Sequence, residues 1–302
     1  MYLAEDQHLK GKHWVIRQMQ PVGIDSGDRK WLLSQFEAEA RLLSTLEHGC
    51  LPKIVDFFVQ DLYLYVIREF VPGLDLNVIL QQRSGRLSER DSLCIGYSLI
   101  ELMTFLLKKK LPPIVFRELS LANLVYTPDG QTKLIDFGFS RLFQREARLG
   151  APDYAAPEQY AEDAEVDGQT LVYNVGALMY HLMTGHNPGT TPFSLPPVQH
   201  HNPGISDRTV ELIEKATENN RQQRFASLAD LGKAIQQILT SKPARGKKKG
   251  GTQRLEQIPL PGGGSFRVEA KSGGGGFPWV AVLLLLLLGA GGAIALRYMG
   301  LL

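Results

Sequence analysis

The chain has 302 residues, 44% of them apolar and 21% charged, with a formal net charge of +2, and that length is ample for a two-lobed domain with a substantial core. The charge is uneven: residues 1–240 hold 24 basic and 29 acidic side chains, whereas 241–276 hold eight Lys/Arg against Glu256 and Glu269. A mildly acidic body lacks the basic footprint of a nucleic-acid binder, and two distant cysteines, Cys50 and Cys94, argue against a disulfide framework or zinc site and fit a reducing cytosol.

In chain order, Met1 to Lys12 is polar and charged, so no secretory leader is expected. His13 to Met19 is a short β-type run, and Gln35 to Glu47 has helical periodicity through Phe36, Leu42, Leu43 and Leu46. Ile54–Phe58 and Leu62–Phe70 are apolar, β-branched and aromatic, as strands prefer. Pro72-Gly73 breaks the run. From Leu74 the pattern turns helical. Ser88 is placed to cap a helix reaching Leu107, whose apolar face is Leu93, Leu99, Ile100, Met103 and Leu107. Leu171–Met183, Asp207–Thr217 and Ala229–Leu239 read as further helices, and His200-His201 is expected in a solvated, Pro-rich loop without metal-ligand spacing.

Ser241 to Gly276 is rich in Gly, Lys, Pro and Ser and is expected to be a flexible linker. Its cluster Arg245-Gly246-Lys247-Lys248-Lys249 is either a contact for anionic headgroups or a solvated spacer. Trp279 to Leu296 is uncharged and holds six consecutive leucines from Leu283 to Leu288. At 1.5 Å per residue such a helix reaches about 27 Å, enough for a thin hydrocarbon core. A single-pass membrane helix over 277–296 is therefore expected, followed by a short tail, 297–302. Arg267 and Lys271 before it, against Arg297 after it, favour a cytoplasmic N-terminal body at the cell membrane.

The most specific residues lie between Pro113 and Glu158. Phe116-Arg117-Glu118-Leu119-Ser120-Leu121-Ala122-Asn123 is followed by Asp136-Phe137-Gly138 and then by Ala156-Pro157-Glu158. This order and spacing resembles the catalytic loop, the Asp-Phe-Gly metal motif and the Ala-Pro-Glu motif of the eukaryotic-type (bacterial) Ser/Thr protein kinases. The resemblance covers almost all of 1–240. It implies a two-lobed α+β fold: a small β-rich N-lobe (1–70), a hinge (69–74) and a larger helical C-lobe (75–240).

What the resemblance implies for the site is mixed. The glycine-rich phosphate loop, which the family places just before a segment like Tyr2 to Asp6, is not rebuilt by Gly11 or Gly23. Either that strand is missing or the start codon is assigned late. Arg17 takes the place of the lysine that pairs the nucleotide's phosphates, and Glu39 that of its partner, so an Arg17–Glu39 ion pair is expected. Arginine is not a conservative replacement at such a clamp. Glu118 stands for the catalytic aspartate, one methylene longer, and misplacement of about 1 Å can cost about a hundredfold. Ser120 replaces the lysine that neutralises the transferred phosphate, and Ala151 the threonine that binds both groups. Phe116 and Leu171 replace the catalytic-loop histidine and the helix aspartate that ties that loop down.

Asn123 and Asp136 match the two magnesium ligands, and with Arg17 and Glu69 they form the implied nucleotide-binding set. Phe137, Gly138, Glu158 and Arg224 match structural positions, the last two as a buried ion pair. The expected protein is a membrane-tethered, catalytically impaired kinase homologue that serves protein partners, kinases or other signalling proteins, as a docking or allosteric module. Two alternatives stay open: an active divergent Ser/Thr kinase using ATP and magnesium, and a nucleotide sensor that binds MgATP without transfer.

Overall fold

A computed structural model describes residues 1–20, 26–61, 63–109, 119–136, 152–160 and 167–241, with the side chains of 26–29 excepted, and the backbone of two dipeptides at 284–285 and 295–296. The dipeptides pair as a two-residue antiparallel ladder. The expected roles of Phe116, Arg117, Glu118, Phe137, Gly138 and Ala151, the linker beyond Ser241, the membrane helix over 277–296 apart from the dipeptides, and the tail all lie outside the described residues. Among the described residues no helix is long and apolar enough to cross a membrane.

The N-lobe is an antiparallel sheet of β1 (Tyr2–Glu5), β2 (His13–Met19), β3 (Ile54–Gln60) and β4 (Tyr63–Glu69), in the order β1-β2-β4-β3. The strand pleat sends alternate residues to opposite faces. One face of β2 and β4 carries Met19, Leu64 and Val66 into the main core, while Ile16 and Ile67 pack with Trp14, Phe58 and Tyr65 on the other. Helix α1 (Ser26–Ser44) covers the first face. It starts earlier than its periodicity suggested, because the buried stripe is Leu32, Phe36, Ala40 and Leu43. It also ends earlier, since Thr45 and Leu46 donate to carbonyls three residues back and tighten the last turn. Leu46 is still buried, although it lies beyond the helix.

The segment after Gly73 opens with a strand instead of a helix. β5 (Leu74–Asp75), β6 (Leu124–Tyr126) and β7 (Thr132–Leu134) form a small antiparallel sheet under the N-lobe. Gly73 adopts φ +146°, and a Cβ there would stand 2.3 Å from the Tyr126 carbonyl oxygen, so only glycine lets the chain enter this sheet. Asp75 then caps α2 (Leu76–Gln82).

Ser88 caps α3 (Glu89–Lys108), as its sequence predicts, by accepting from the Asp91 N–H. The centre of the C-lobe is α4 (Gly168–Thr184), buried almost throughout from Thr170 to Thr184 and capped reciprocally by Asp167 and Thr170. Helices α3, α6 (Asp207–Ala216) and α7 (Leu228–Thr240) pack around it. The expected loop at His200-His201 is corrected to a helical turn, α5 (Val198–His201). Pro197 precedes it, and buried Val198 anchors it. The His201 ring stacks on His186 at 4.8 Å instead of facing solvent.

Candidate functional site

The site is built where the two sheets face each other. Strand β2 delivers Arg17 and strand β4 delivers Arg68. In the β2–β4 register Arg17 lies opposite Val66, and Val15 lies opposite Arg68. Directly opposed residues share a face. Val15, Arg17, Val66 and Arg68 therefore share the face that Met19 and Leu64 use to enter the core. The two guanidinium-bearing residues are diagonal neighbours, whose Cα atoms in such a ladder stand about 7–8 Å apart.

The C-lobe supplies the opposite wall. Ser120 accepts from the Ala122 N–H at 3.2 Å and caps a short helical turn, Leu121–Asn123. The Ile135 N–H donates to the Asn123 carbonyl at 2.8 Å, which sets Asn123 beside the residue preceding Asp136. The two residues expected as magnesium ligands are thus brought together by the β6–β7 ladder.

Arg17 does not use Glu39 as its ion-pair partner. Its Nη1 donates to Asp136 Oδ1, across the lobes. The expected Arg17–Glu39 pair is therefore corrected to Arg17–Asp136. The arginine's length allows it: a long planar fork leaving β2 reaches across to the Asp136 carboxylate of the C-lobe. Glu39 is half-buried on α1.

Arg68 was not anticipated from the sequence, and it changes the character of the site. It is 7% exposed, and its Nη1 donates to the Glu69 carbonyl at 3.2 Å. Burial lowers the pKa of its guanidinium, the nearby Asp136 carboxylate opposes that shift, and Arg17 adds to it. All three charges therefore act on one another. The signal was available, since Arg68 is a cation on the inward-facing alternation of an apolar strand, Leu64-Tyr65-Val66-Ile67. Glu69 ends the same strand: its N–H donates to the Lys53 carbonyl, its carboxylate accepts from the Lys53 N–H at 3.2 Å, and that carboxylate lies 3.9 Å from Lys12 Nζ.

Asn123 and Asp136 offer the oxygen donors a hard divalent cation prefers. In a phosphate-transferring kinase such a metal neutralises charge on the phosphates. Here the Asp136 carboxylate is already neutralised by Arg17, and Arg68 adds a second cation. Among the described residues, the Arg17, Arg68 and Asp136 side chains together carry a net positive charge, which does not fit a magnesium ion in this arrangement.

Away from the cleft, the second ion-pair expectation is met. Arg224 Nη1 and Nη2 hold Glu158 Oε1 and Oε2 at 2.7 and 2.9 Å. The remaining donors reach the carbonyls of Glu218, Gln169 and Asn219, and the guanidinium lies 4.9 Å over the Tyr173 ring. Burial raises the Glu158 pKa, but the Arg224 hydrogen bonds and charge outweigh it and hold the carboxyl below its usual range. The neighbouring residues are pinned too. Gln159 Oε1 accepts from the Ala156 N–H and from Asn174, and Asn174 also donates to the Tyr154 carbonyl. Leu171, where the family has an aspartate, is 1% exposed within α4 and needs no polar partner.

The sequence matches the protein kinase domain family over residues 4–245. It is 27% identical over 262 residues to the serine/threonine-protein kinase PknA of Mycobacterium tuberculosis, which covers 80% of this chain and 60% of PknA. It is 30% identical over 200 residues to the serine/threonine-protein kinase pkn2 of Myxococcus xanthus, covering 62% of this chain and 23% of pkn2. The chain thus spans about 60% of the length of PknA. The crystal structure of the Mycobacterium tuberculosis PknI kinase domain matches with a TM-score of 0.61 at 23% identity, over 78% of this chain and 89% of that one, a likeness of fold. With the family's sequence pattern running from residue 4 to residue 245 and the two-lobed kinase fold beneath it, this chain belongs to the protein kinase domain family.

Proposed function

We propose that this chain is a catalytically impaired kinase homologue, tethered to the cell membrane through residues 277–296, that serves other signalling proteins as a docking or allosteric module. One observation carries the impairment. The Arg17 guanidinium, at the phosphate-clamp position, and the Asp136 carboxylate, at the metal position, are bound to each other. Each satisfies the other's charge, so neither is set to act on a nucleotide as a transferring kinase requires. Ser120 supports the same reading. Its hydroxyl is used to cap a helical turn, and it carries no positive charge for a transferred phosphate.

The scaffold reading rests on what is kept. The Glu158–Arg224 network and the buried α4 maintain the shape of the C-lobe while the catalytic positions have diverged. The tether rests on the uncharged run Trp279–Leu296, and the cytoplasmic side on the basic residues preceding it.

The test is phosphate transfer from labelled ATP by the purified full chain, with magnesium or manganese and generic basic and acidic protein acceptors. An Asp136→Ala variant is the matched control. The expected result is no transfer above the control. Transfer that Asp136→Ala abolishes would overturn the proposal and make Glu118 the base of an active Ser/Thr kinase.

A further inference from the structure

The face shared by β2 and β4 places two guanidinium groups in the cleft between the lobes, and the C-lobe places the Asp136 carboxylate against them. Among the described residues the Asp136 carboxylate is hydrogen-bonded by Arg17 alone, and each arginine uses one of the five donors a guanidinium carries. Arg68 is 7% exposed as a residue, yet none of its guanidinium nitrogens is both fully buried and without a partner, so its remaining donors stay accessible. Two cations with accessible, unused donors are well matched by an anion carrying several oxygens, since charge-assisted bonds from arginine to phosphate are among the stronger hydrogen bonds in proteins. A divalent cation meets the opposite situation, because it must displace Arg17 from Asp136 and then sit beside two arginines.

We propose that the interlobe cleft binds a polyphosphate anion, such as the phosphate chain of a nucleotide, free of divalent metal, with Arg17 and Arg68 supplying the neutralising charge. Asp136 then acts as a competitor for Arg17 that the ligand displaces, not as a metal ligand. No bond forms or breaks in this step; one ion pair is exchanged for others. The inference deepens the reading of an impaired domain and rests on the same ion pair. The two fail separately, because labelled transfer reports catalysis and a melting shift reports binding.

The sign of one substitution separates the two kinds of site. In a metal-dependent site, Asp136→Asn removes a ligand and weakens binding. In the site proposed here it releases Arg17 and removes a negative charge, so binding tightens, by about three- to tenfold. The experiment follows the melting temperature and dissociation constant of the purified full chain with ATP or inorganic tripolyphosphate. Each ligand is titrated in EDTA and then in excess magnesium.

The expected result is binding in EDTA that magnesium weakens, because the metal-bound polyphosphate carries less negative charge. Arg68→Met should weaken it about tenfold or more, as expected for loss of a charge-assisted contact. Arg17→Gln, at a less buried position, is a second variant that keeps the test intact if Arg68→Met unfolds. Binding of ATP but not tripolyphosphate assigns the ligand as a nucleotide, and binding of both assigns the polyphosphate alone; either supports the site. A shift that requires magnesium, weaker binding in Asp136→Asn, or no binding of either ligand would overturn it.

Discussion

The Arg224–Glu158 pair and the Arg17–Asp136 pair join the same two chemical groups in different surroundings. Arg224 has a side chain 0% exposed, and its guanidinium makes five hydrogen bonds, two to Glu158 and three to backbone carbonyls. Arg17 is 24% exposed and spends one hydrogen bond on a carboxylate that is itself 21% exposed. The first pair closes a network within the C-lobe and leaves nothing over for a ligand. The second spans two lobes and leaves donors unused. A buried pair with every donor satisfied costs several kcal/mol to break, because its partner is then stranded. A partly exposed pair with a single hydrogen bond exchanges partners at lower cost. One pair thus belongs to the scaffold and the other to recognition.

The largest test of that contrast is Arg224→Met. It leaves the Glu158 charge and three carbonyls without their donor, and a loss of about 3–5 kcal/mol is expected from breaking a buried pair. The midpoint of denaturant unfolding of the full chain measures it. A loss below about 1 kcal/mol would mean the network is not structural, and the contrast would fail.

The next effect comes from the packing of α4 beneath that network. A Cβ at Gly176 would stand 2.7 Å from the Ala216 Cβ and 3.4 Å from the Ala216 backbone carbon, where two helices touch and cannot yield. Gly176→Ala is expected to cost about 1–3 kcal/mol, the usual range for overpacking. Gly96→Ala sharpens the point. The nearest atoms its Cβ would meet are Met179 Sδ and Cγ at 2.3 and 2.8 Å, part of an unbranched, flexible side chain and not of a helix backbone. The Gly96 variant should therefore melt closer to the parent than the Gly176 variant.

A smaller effect is expected with pH. Burial lowers the pKa of His181, with Asp153 opposing it, and Tyr154 Oη lies 2.8 Å from its Nδ1. The unfolded chain then binds a proton more readily than the folded one. Stability from this group is full above the ordinary histidine value of about 6.5 and falls as pH drops below it. Glu158 works the same way at lower pH: its folded value is depressed, so its contribution holds above the usual carboxylate range and is lost as pH falls through it. Unfolding midpoints between pH 7 and 5 should decline in the parent and decline less in His181→Asn. An unchanged slope would remove His181 from the account.

Much of the fold was legible in the sequence, and the failures have physical reasons. β2, β4 and α3 announce themselves through alternation, β-branching and a Ser88 cap, all local signals. The sheet β5-β6-β7 does not, because strands of two or three residues carry no period and exist only through pairing 50 residues apart. Turn α5 was hidden because Pro196 and Pro197 before it read as loop, whereas a proline just before a helical turn is compatible with it. In the site, motif order named Arg17, Asn123, Asp136, Glu158 and Arg224, and the Glu158–Arg224 partnership followed because both residues are fixed within one lobe. The partner of Arg17 was missed because it depends on how two lobes meet. Arg68 was overlooked because it is an isolated charge in a strand, and its meaning appears only once the β2–β4 register puts it beside Arg17.

The smallest expected effect is the most discriminating. Arg17→Met should change stability by less than about 1 kcal/mol, since partly exposed ion pairs contribute about 0–1 kcal/mol. A double-mutant cycle with Asp136→Asn separates the pair from its surroundings, and the coupling should be correspondingly small. A coupling above about 2 kcal/mol would place Arg17–Asp136 in the same class as Arg224–Glu158, a strut holding the lobes together. The exchange of Asp136 for a polyphosphate would then be opposed by the scaffold. A weak coupling means the lobes are held by the apolar core that runs continuously from Met19 and Phe36 into the C-lobe. The charges in the cleft are then left with partners they can give up.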